Sequence, residues 1–189
     1  NRSEEFRQNY PNVWVLYLLY KITNNPVKTE IIEILFKYLQ ENDKNISDEF
    51  LQFSYDSLFE LLLRELTTGG KNVREDFYKV FLDIEKRGTL KRLIHIRPRY
   101  FPLFTAFILE SRDIFLAEKF LQDYKSKLVH SPNQDVLSLC TARIEFSKGN
   151  YDNVKKLLKN VKTHDPVLYM QNKVMMLRTY YENNELRHI

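Results

Sequence analysis

Residues 136–160 read VLSLCTARIEFSKGNYDNVKKLLKN: an apolar helix, a Gly-Asn turn and a second apolar helix. In the first half Val136, Leu139, Cys140, Ile144 and Phe146 recur at helical spacing, and Ala142 supplies a small side chain where another helix can approach closely. Ser131 is placed to cap this helix, with Pro132 at the first helical position and Gln134 in capping-box register. Gly149 can take the left-handed geometry that closes a helix, and Asn150 can accept hydrogen bonds from the free N–H groups of the next. Tyr151, Val154, Leu157, Leu158 and Val161 then make one apolar stripe, leaving Lys155, Lys156 and Lys159 for solvent. An isolated pair of this kind cannot bury both stripes, so it requires neighbours.

Sliding the unit along the chain finds them. Arg112-Asp113-Ile114 with Ala117, Leu121 and Tyr124 lies over Gly149-Asn150-Tyr151 with Val154, Leu158 and Val161 at an offset of 37 residues, and Asn184-Glu185-Leu186 with Ile189 follows at 35. Periods in the mid-thirties are those of helix-turn-helix arrays. Over residues 98–189 the chain resembles the tetratricopeptide repeat (TPR) family. Gly149, Tyr151 and Pro166 stand where that motif has its turn glycine, its aromatic residue and its closing proline, and Ala142 stands at the small position of the first helix. Val154 replaces the usual small alanine, which Ala117 keeps one unit earlier. Ser138 replaces the motif's tryptophan, Arg112 and Asn184 its turn glycine, and Leu177 the small residue of the third first-helix. The resemblance implies a groove, lined by first helices, that holds a peptide or protein partner.

Long runs rich in Leu, Ile, Phe, Tyr, Lys and Glu show three-to-four spacing with almost no strict alternation, and only four glycines interrupt them. An all-α fold follows: antiparallel helix pairs stacked as a TPR-like superhelix with right-handed curvature, preceded by an irregular N-terminal half. Two regions are expected, N-terminal helical hairpins over residues 1–72 and helical repeats over 73–189, with the TTGGKN run at 67–72 as the hinge between them. Residues 183–189 begin another pair and stop, which reads either as a capping helix or as the edge of a longer array. No stretch approaches the ~18 uncharged apolar residues of a membrane span. The single cysteine, Cys140, cannot form an internal disulfide and reads as a buried structural thiol; it favours a reducing compartment and hence a cytoplasmic location.

In the N-terminal half, residues 1–9 are polar and expected to fray. Pro11 opens a helix to about Thr23, apolar on nearly all sides, with Trp14 as a core anchor. Asn25-Pro26 opens a second to about Gln40, residues 41–45 form a loop, and Ser47 or Asp48 caps a long helix over about 49–66. Another helix over 73–86 turns Phe77, Val80, Phe81 and Ile84 inward; Gly88 ends it and Thr89 caps a short helix over 90–96. Charge is uneven: residues 29–66 hold nine acids and three bases, whereas 86–128 hold ten bases and four acids.

Three candidate sites follow. A basic elbow of Lys86, Arg87, Lys91, Arg92, His95, Arg97 and Arg99, beside Tyr100 and Phe101, could grip nucleic acid or an acidic protein surface, the plainer reading being that Arg97 and Arg99 pair with the acidic N-terminal half. Its basic patch is Lys91, Arg92, Arg97 and Arg99. Second, the 35-residue offset makes Arg143 equivalent to Arg178, and Phe146 to Tyr181. By the resemblance these face a concave groove, where guanidinium and aromatic groups could hold a carboxylate and an apolar side chain; the plain alternative is arginines solvated or paired with Glu145 and Glu182, and aromatics that serve inter-repeat packing. Third, catalysis is unsupported. His95, His130, His164 and His188 lack metal-ligand spacing, and Gly69-Gly70-Lys71 lacks the rest of a phosphate-binding loop. The expected function is therefore a non-catalytic protein-interaction scaffold, with no cofactor and no metal, binding a protein or peptide through Arg143, Phe146, Arg178 and Tyr181; a nucleic-acid module built on the elbow is the alternative.

Overall fold

The computed structural model describes residues 2–24, 28–67, 73–128 and 133–185. It is all-α, with no β-strand among the described residues beyond one isolated bridge between Ile96 and Leu128. The expected caps at Asn25-Pro26 and Ser131-Pro132 lie outside the described residues, as do residues 68–72 of the expected hinge. The chain divides into two compact units, Asn1–Ile94 and His95–Ile189.

The first unit contains α1 (Arg2–Asn9), α2 (Pro11–Asn24), α3 (Lys28–Asn42), α4 (Asp48–Thr67), α5 (Val73–Lys86) and the short α6 (Thr89–Arg92). α2 buries Val15, Leu18 and Ile22 against α3 and α4. α4 presents Tyr55, Leu58, Phe59 and Leu62 to the core, and α5 answers with Phe77, Val80, Phe81 and Ile84; the Phe59 and Phe77 rings stack 5.4 Å apart. Each such ring contributes roughly 1.5–3 kcal/mol on burial. That packing joins α5 to the N-terminal helices, so the unit boundary falls at Ile94 and not near residue 72.

Local departures from the sequence reading have identifiable causes. Residues 2–9 form α1 because Tyr10 N–H donates to Phe6 O (3.0 Å), Trp14 N–H to Tyr10 O (3.1 Å), and the Tyr38 hydroxyl to Arg7 O (2.7 Å). Trp14 is half-buried, with Arg7 stacked 4.3 Å from its ring centre. The expected loop at 41–45 is the end of α3 followed by a 3-10 turn, Asp43–Asn45. Ser47 does cap α4, its Oγ accepting from Phe50 N–H at 3.3 Å. Gly88, at φ +73°, precedes α6, and Thr89 does not cap: its hydroxyl donates to Asp43 Oδ2 at 3.1 Å. α6 stops at Arg92, short of the expected residue 96, and in the second unit Ile96 N–H donates to Lys127 O (2.8 Å) in extended conformation.

The second unit contains α7 (Tyr100–Glu110), α8 (Ile114–Tyr124), α9 (Asn133–Ser147), α10 (Tyr151–Lys159) and α11 (Pro166–Glu182). Its helices form pairs, α7 with α8 and α9 with α10, and each first helix also packs on the next first helix, α7 on α9 and α9 on α11. The turns repeat. Arg112, Gly149 and Asn184 have φ of +60°, +79° and +54°. Their N–H groups donate to the carbonyls of Leu109, Phe146 and Tyr181, three residues back in each case, at 3.0, 3.0 and 3.1 Å. At the last two turns a second bond, Asn150 N–H to Glu145 O and Glu185 N–H to Tyr180 O, both 2.9 Å, completes the double closure of a left-handed helix cap. The Asn150 side chain caps nothing in α10; its Nδ2 donates to Glu145 Oε2 (2.9 Å).

Between pairs the apolar core runs through Phe101, Phe104, Phe120, Leu139, Cys140, Ala142, Val154 and Leu158. Ala117 and Val154, equivalent by the 37-residue offset, are both fully buried. Polar ties also recur. Lys148 Nζ bonds Glu118 (2.7 Å) and Glu145 (2.9 Å), while Lys155, expected in solvent, bonds Asp152 (2.8 Å) and Glu185 (2.9 Å). Both ties from one pair to the next span thirty residues.

Candidate partner-binding groove

α9 and α11 lie side by side as consecutive first helices, and between them opens a cavity of about 460 Å³. Asp165 fixes the start of α11, its Oδ1 accepting from the N–H groups of Val167 (2.8 Å) and Leu168 (3.0 Å), with Pro166 at the first helical position. α11 then shows two different faces. It buries Leu168, Asn172, Met175 and Thr179, two of them polar, and leaves Val167, Met170, Val174, Leu177 and Tyr181 between 51 and 64% exposed. A surface helix ordinarily keeps its apolar stripe inside and its polar residues out. Asn172 is held by one bond from its Nδ2 to Leu158 O at 3.3 Å, and Thr179 by one from its hydroxyl to Met175 O at 2.7 Å.

The cavity is walled by Arg143 of α9 and by Val167, Met170, Gln171, Val174 and Arg178 of α11. Arg143 Nη2 donates to Gln171 Oε1 at 3.3 Å, linking α9 to α11 beside the cavity. Arg178 reaches from α11 over the Phe146 ring of α9, its guanidinium carbon 5.3 Å from the ring centre, and Phe146 is braced edge-on by Tyr151 at 5.4 Å. Ring stacking leaves the edge of a guanidinium, where its N–H groups lie, directed outward. Glu145, read as one counter-ion for Arg143, is bonded by Lys148, Asn153 and Asn150, which together bring its carboxyl down to about 2.

Of the four residues read from the sequence, Arg143 and Arg178 line this cavity, and Phe146 lies beneath the Arg178 guanidinium without lining it. Tyr181 is exposed one turn further along α11 and does not line the cavity. The sequence reading missed Val167, Met170, Gln171 and Val174. Their signal was present: residues 167, 170, 174, 177 and 181 form a three-and-four stripe beside the buried one.

The basic elbow is distributed differently. Lys91 and Arg92 belong to the first unit, Arg97 and Arg99 to the second. Arg92 turns onto its own unit, donating from Nε and Nη2 to Asp48 Oδ1 (3.0 and 2.7 Å), from Nη1 to Asp43 O (2.9 Å) and from Nη2 to Ile46 O (3.1 Å). Arg87 does the same, bonding Asp83, Gln40 O, Asp43 and the Tyr55 hydroxyl at 2.7–3.1 Å. Lys91 and Arg99 are exposed, and Arg97 is half-buried. Cys140 is fully buried and burial pushes its thiol up to about 12, so it carries no thiolate at neutral pH. Among the described residues there is no cluster of three metal-ligating side chains, and no helix long and apolar enough to cross a membrane. No protein-family model, curated protein or solved structure matches the chain.

Proposed function

We propose that this chain is a TPR-like, non-catalytic interaction scaffold whose groove between α9 and α11 holds a segment of a protein partner, apolar in part and carrying an acidic group. The observation that carries this reading is helix α11, which buries Asn172 and Thr179 beside Leu168 and Met175 while offering Val167, Met170 and Val174 to the cavity. An exposed apolar wall of this kind is stabilised by an occupant. Arg143 and Arg178 set the sign of its charge, because both guanidinium groups flank the apolar wall from opposite helices. A cytoplasmic location belongs to the same proposal and rests on the lone buried thiol. The nucleic-acid alternative is less well supported, since Arg92 commits its donors to Asp48 and two backbone carbonyls.

The test is capture of partners from lysate by the unaltered chain and by Arg143→Glu/Arg178→Glu, with helicity checked by circular dichroism. Loss of a specific partner from a fully helical variant supports the groove, and identical capture by both proteins removes it. Salt separates the readings further: phosphate-driven binding falls by orders of magnitude, roughly 10³-fold or more between low and moderate salt, whereas binding anchored by an apolar side chain weakens far less.

A further inference from the structure

A second exposed face, in the first unit, is unrelated to the groove. Phe6, Tyr10, Val13, Tyr17 and Tyr20 lie four, three, four and three residues apart along α1 and α2, with Leu16 beside them, and all six are 40–65% exposed. α1 ends with Tyr10 N–H on Phe6 O and α2 opens with Trp14 N–H on Tyr10 O, and the Arg7 guanidinium over the Trp14 ring brings the two stripes side by side in a seam. The opposite side of α2 is locked into the core by Val15, Leu18 and Ile22. Spacing of three and four is the register in which one helix receives another.

Charge indicates what the seam receives. From residue 6 to residue 24, beyond Glu4 and Glu5 at the start of α1, there is no Asp or Glu, and the only cations are Arg7 and Lys21. Arg7, Trp14 and Lys21 are seven residues apart, so they line a single flank of the seam. Both cations rest on ring faces, Arg7 at 4.3 Å from the centre of Trp14 and Lys21 at 5.5 Å from that of Tyr17. An aromatic seam rich in tyrosine with cations stacked beside it has the composition of a protein interface. A second copy fits poorly: antiparallel pairing sets Arg7 against Lys21 of the second copy, and parallel pairing offers the cations only Asn9, Leu16 and Thr23. A bilayer surface fits poorly too, because two cations supply only about 1 kcal/mol each toward anionic lipid.

We propose that the α1–α2 face is a docking surface for an amphipathic helix of a protein partner whose apolar ridge is flanked by glutamate or aspartate. Trp14 is the chain's single tryptophan and lies on this flank, so its emission reports docking directly. The probes are two synthetic peptides of three heptads with leucine along the ridge, one flanked by glutamate and the other by lysine. The full chain should bind the first saturably and the second at least about tenfold more weakly. Arg7→Glu/Lys21→Glu should reverse that preference, and Tyr17→Ser/Tyr20→Ser, at exposed positions, should weaken the glutamate peptide about tenfold with unchanged helicity. Equal affinity for both peptides, or binding of neither, overturns the proposal. So does a Trp14 shift on phosphatidylcholine–phosphatidylserine vesicles without peptide, or self-association in sedimentation that Tyr17→Ser/Tyr20→Ser abolishes.

Discussion

The two units are tied by different means. In the first, Arg87 joins parts of the chain 44, 47 and 32 residues away, reaching Asp43, Gln40 and Tyr55, and Arg92 reaches Asp43, Ile46 and Asp48 across comparable distances. In the second, the ties are shorter in sequence and recur: Glu118 with Lys148, then Lys155 with Glu185, each spanning thirty residues. A repeated architecture divides its polar stabilisation into like increments between neighbours. A non-repeating one gathers it at a few positions, and those positions are correspondingly sensitive.

The sharpest way to break this contrast is Arg87→Met. It leaves the Asp43 carboxylate, in a residue only 9% exposed, without its cation, and removes the donor to the Tyr55 hydroxyl. A loss of about 3 kcal/mol in urea unfolding is expected; a loss below ~1 kcal/mol would mean that the first unit does not depend on this knot. An intermediate effect belongs to the turns of the second unit. Gly149 sits at φ +79°, and a methyl group placed on its Cα would meet nothing within 4 Å, so Gly149→Ala should cost about 1 kcal/mol from backbone conformation alone. Arg112 occupies the equivalent place at φ +60°, and Arg112→Gly should therefore stabilise, by roughly 0.5–1 kcal/mol. Opposite signs in thermal unfolding confirm that the two turns are equivalent, and equal signs deny it.

The smallest effect is acid dependence. Hydrogen bonds from Lys148, Asn153 and Asn150 lower the Glu145 carboxyl from 4.5 to about 2. A lowered carboxyl contributes stability that is complete above the unfolded value and is lost as pH falls toward the folded one. Glu145→Gln should thus be slightly less stable at neutral pH and show a flatter decline between pH 4.5 and about 2 in denaturant titrations. An unchanged slope would remove Glu145 as the anchor of the Gly149 turn.

What the residues disclosed follows from range. The turn at Gly149, the cap at Ser47 and helix Val73–Lys86 depend on neighbours within a few positions, and each is where local chemistry puts it. Arg92 was misleading because a basic run reads alike whether it faces water or a distant carboxylate, and Asp48 lies 44 residues earlier. The groove was half legible. A repeat offset carried Arg143 onto Arg178, but α11 bears two stripes, and nothing local says that the one containing Asn172 and Thr179 is buried. α1 was hidden for a similar reason, since its stability comes from Tyr38, 31 residues on.

The ion pairs linking consecutive helix pairs have one further consequence. Glu118 and Lys155 occupy matching places on α8 and α10, and each meets a residue of the following turn, Lys148 just before Gly149 and Glu185 just after Asn184, with the signs reversed from one junction to the next. If a nascent chain skipped a layer and seated the Asn184 turn on α8, Glu185 would confront Glu118. The reversed polarity of the two junctions thus discourages slipped or exchanged layers among units otherwise similar enough to be confused.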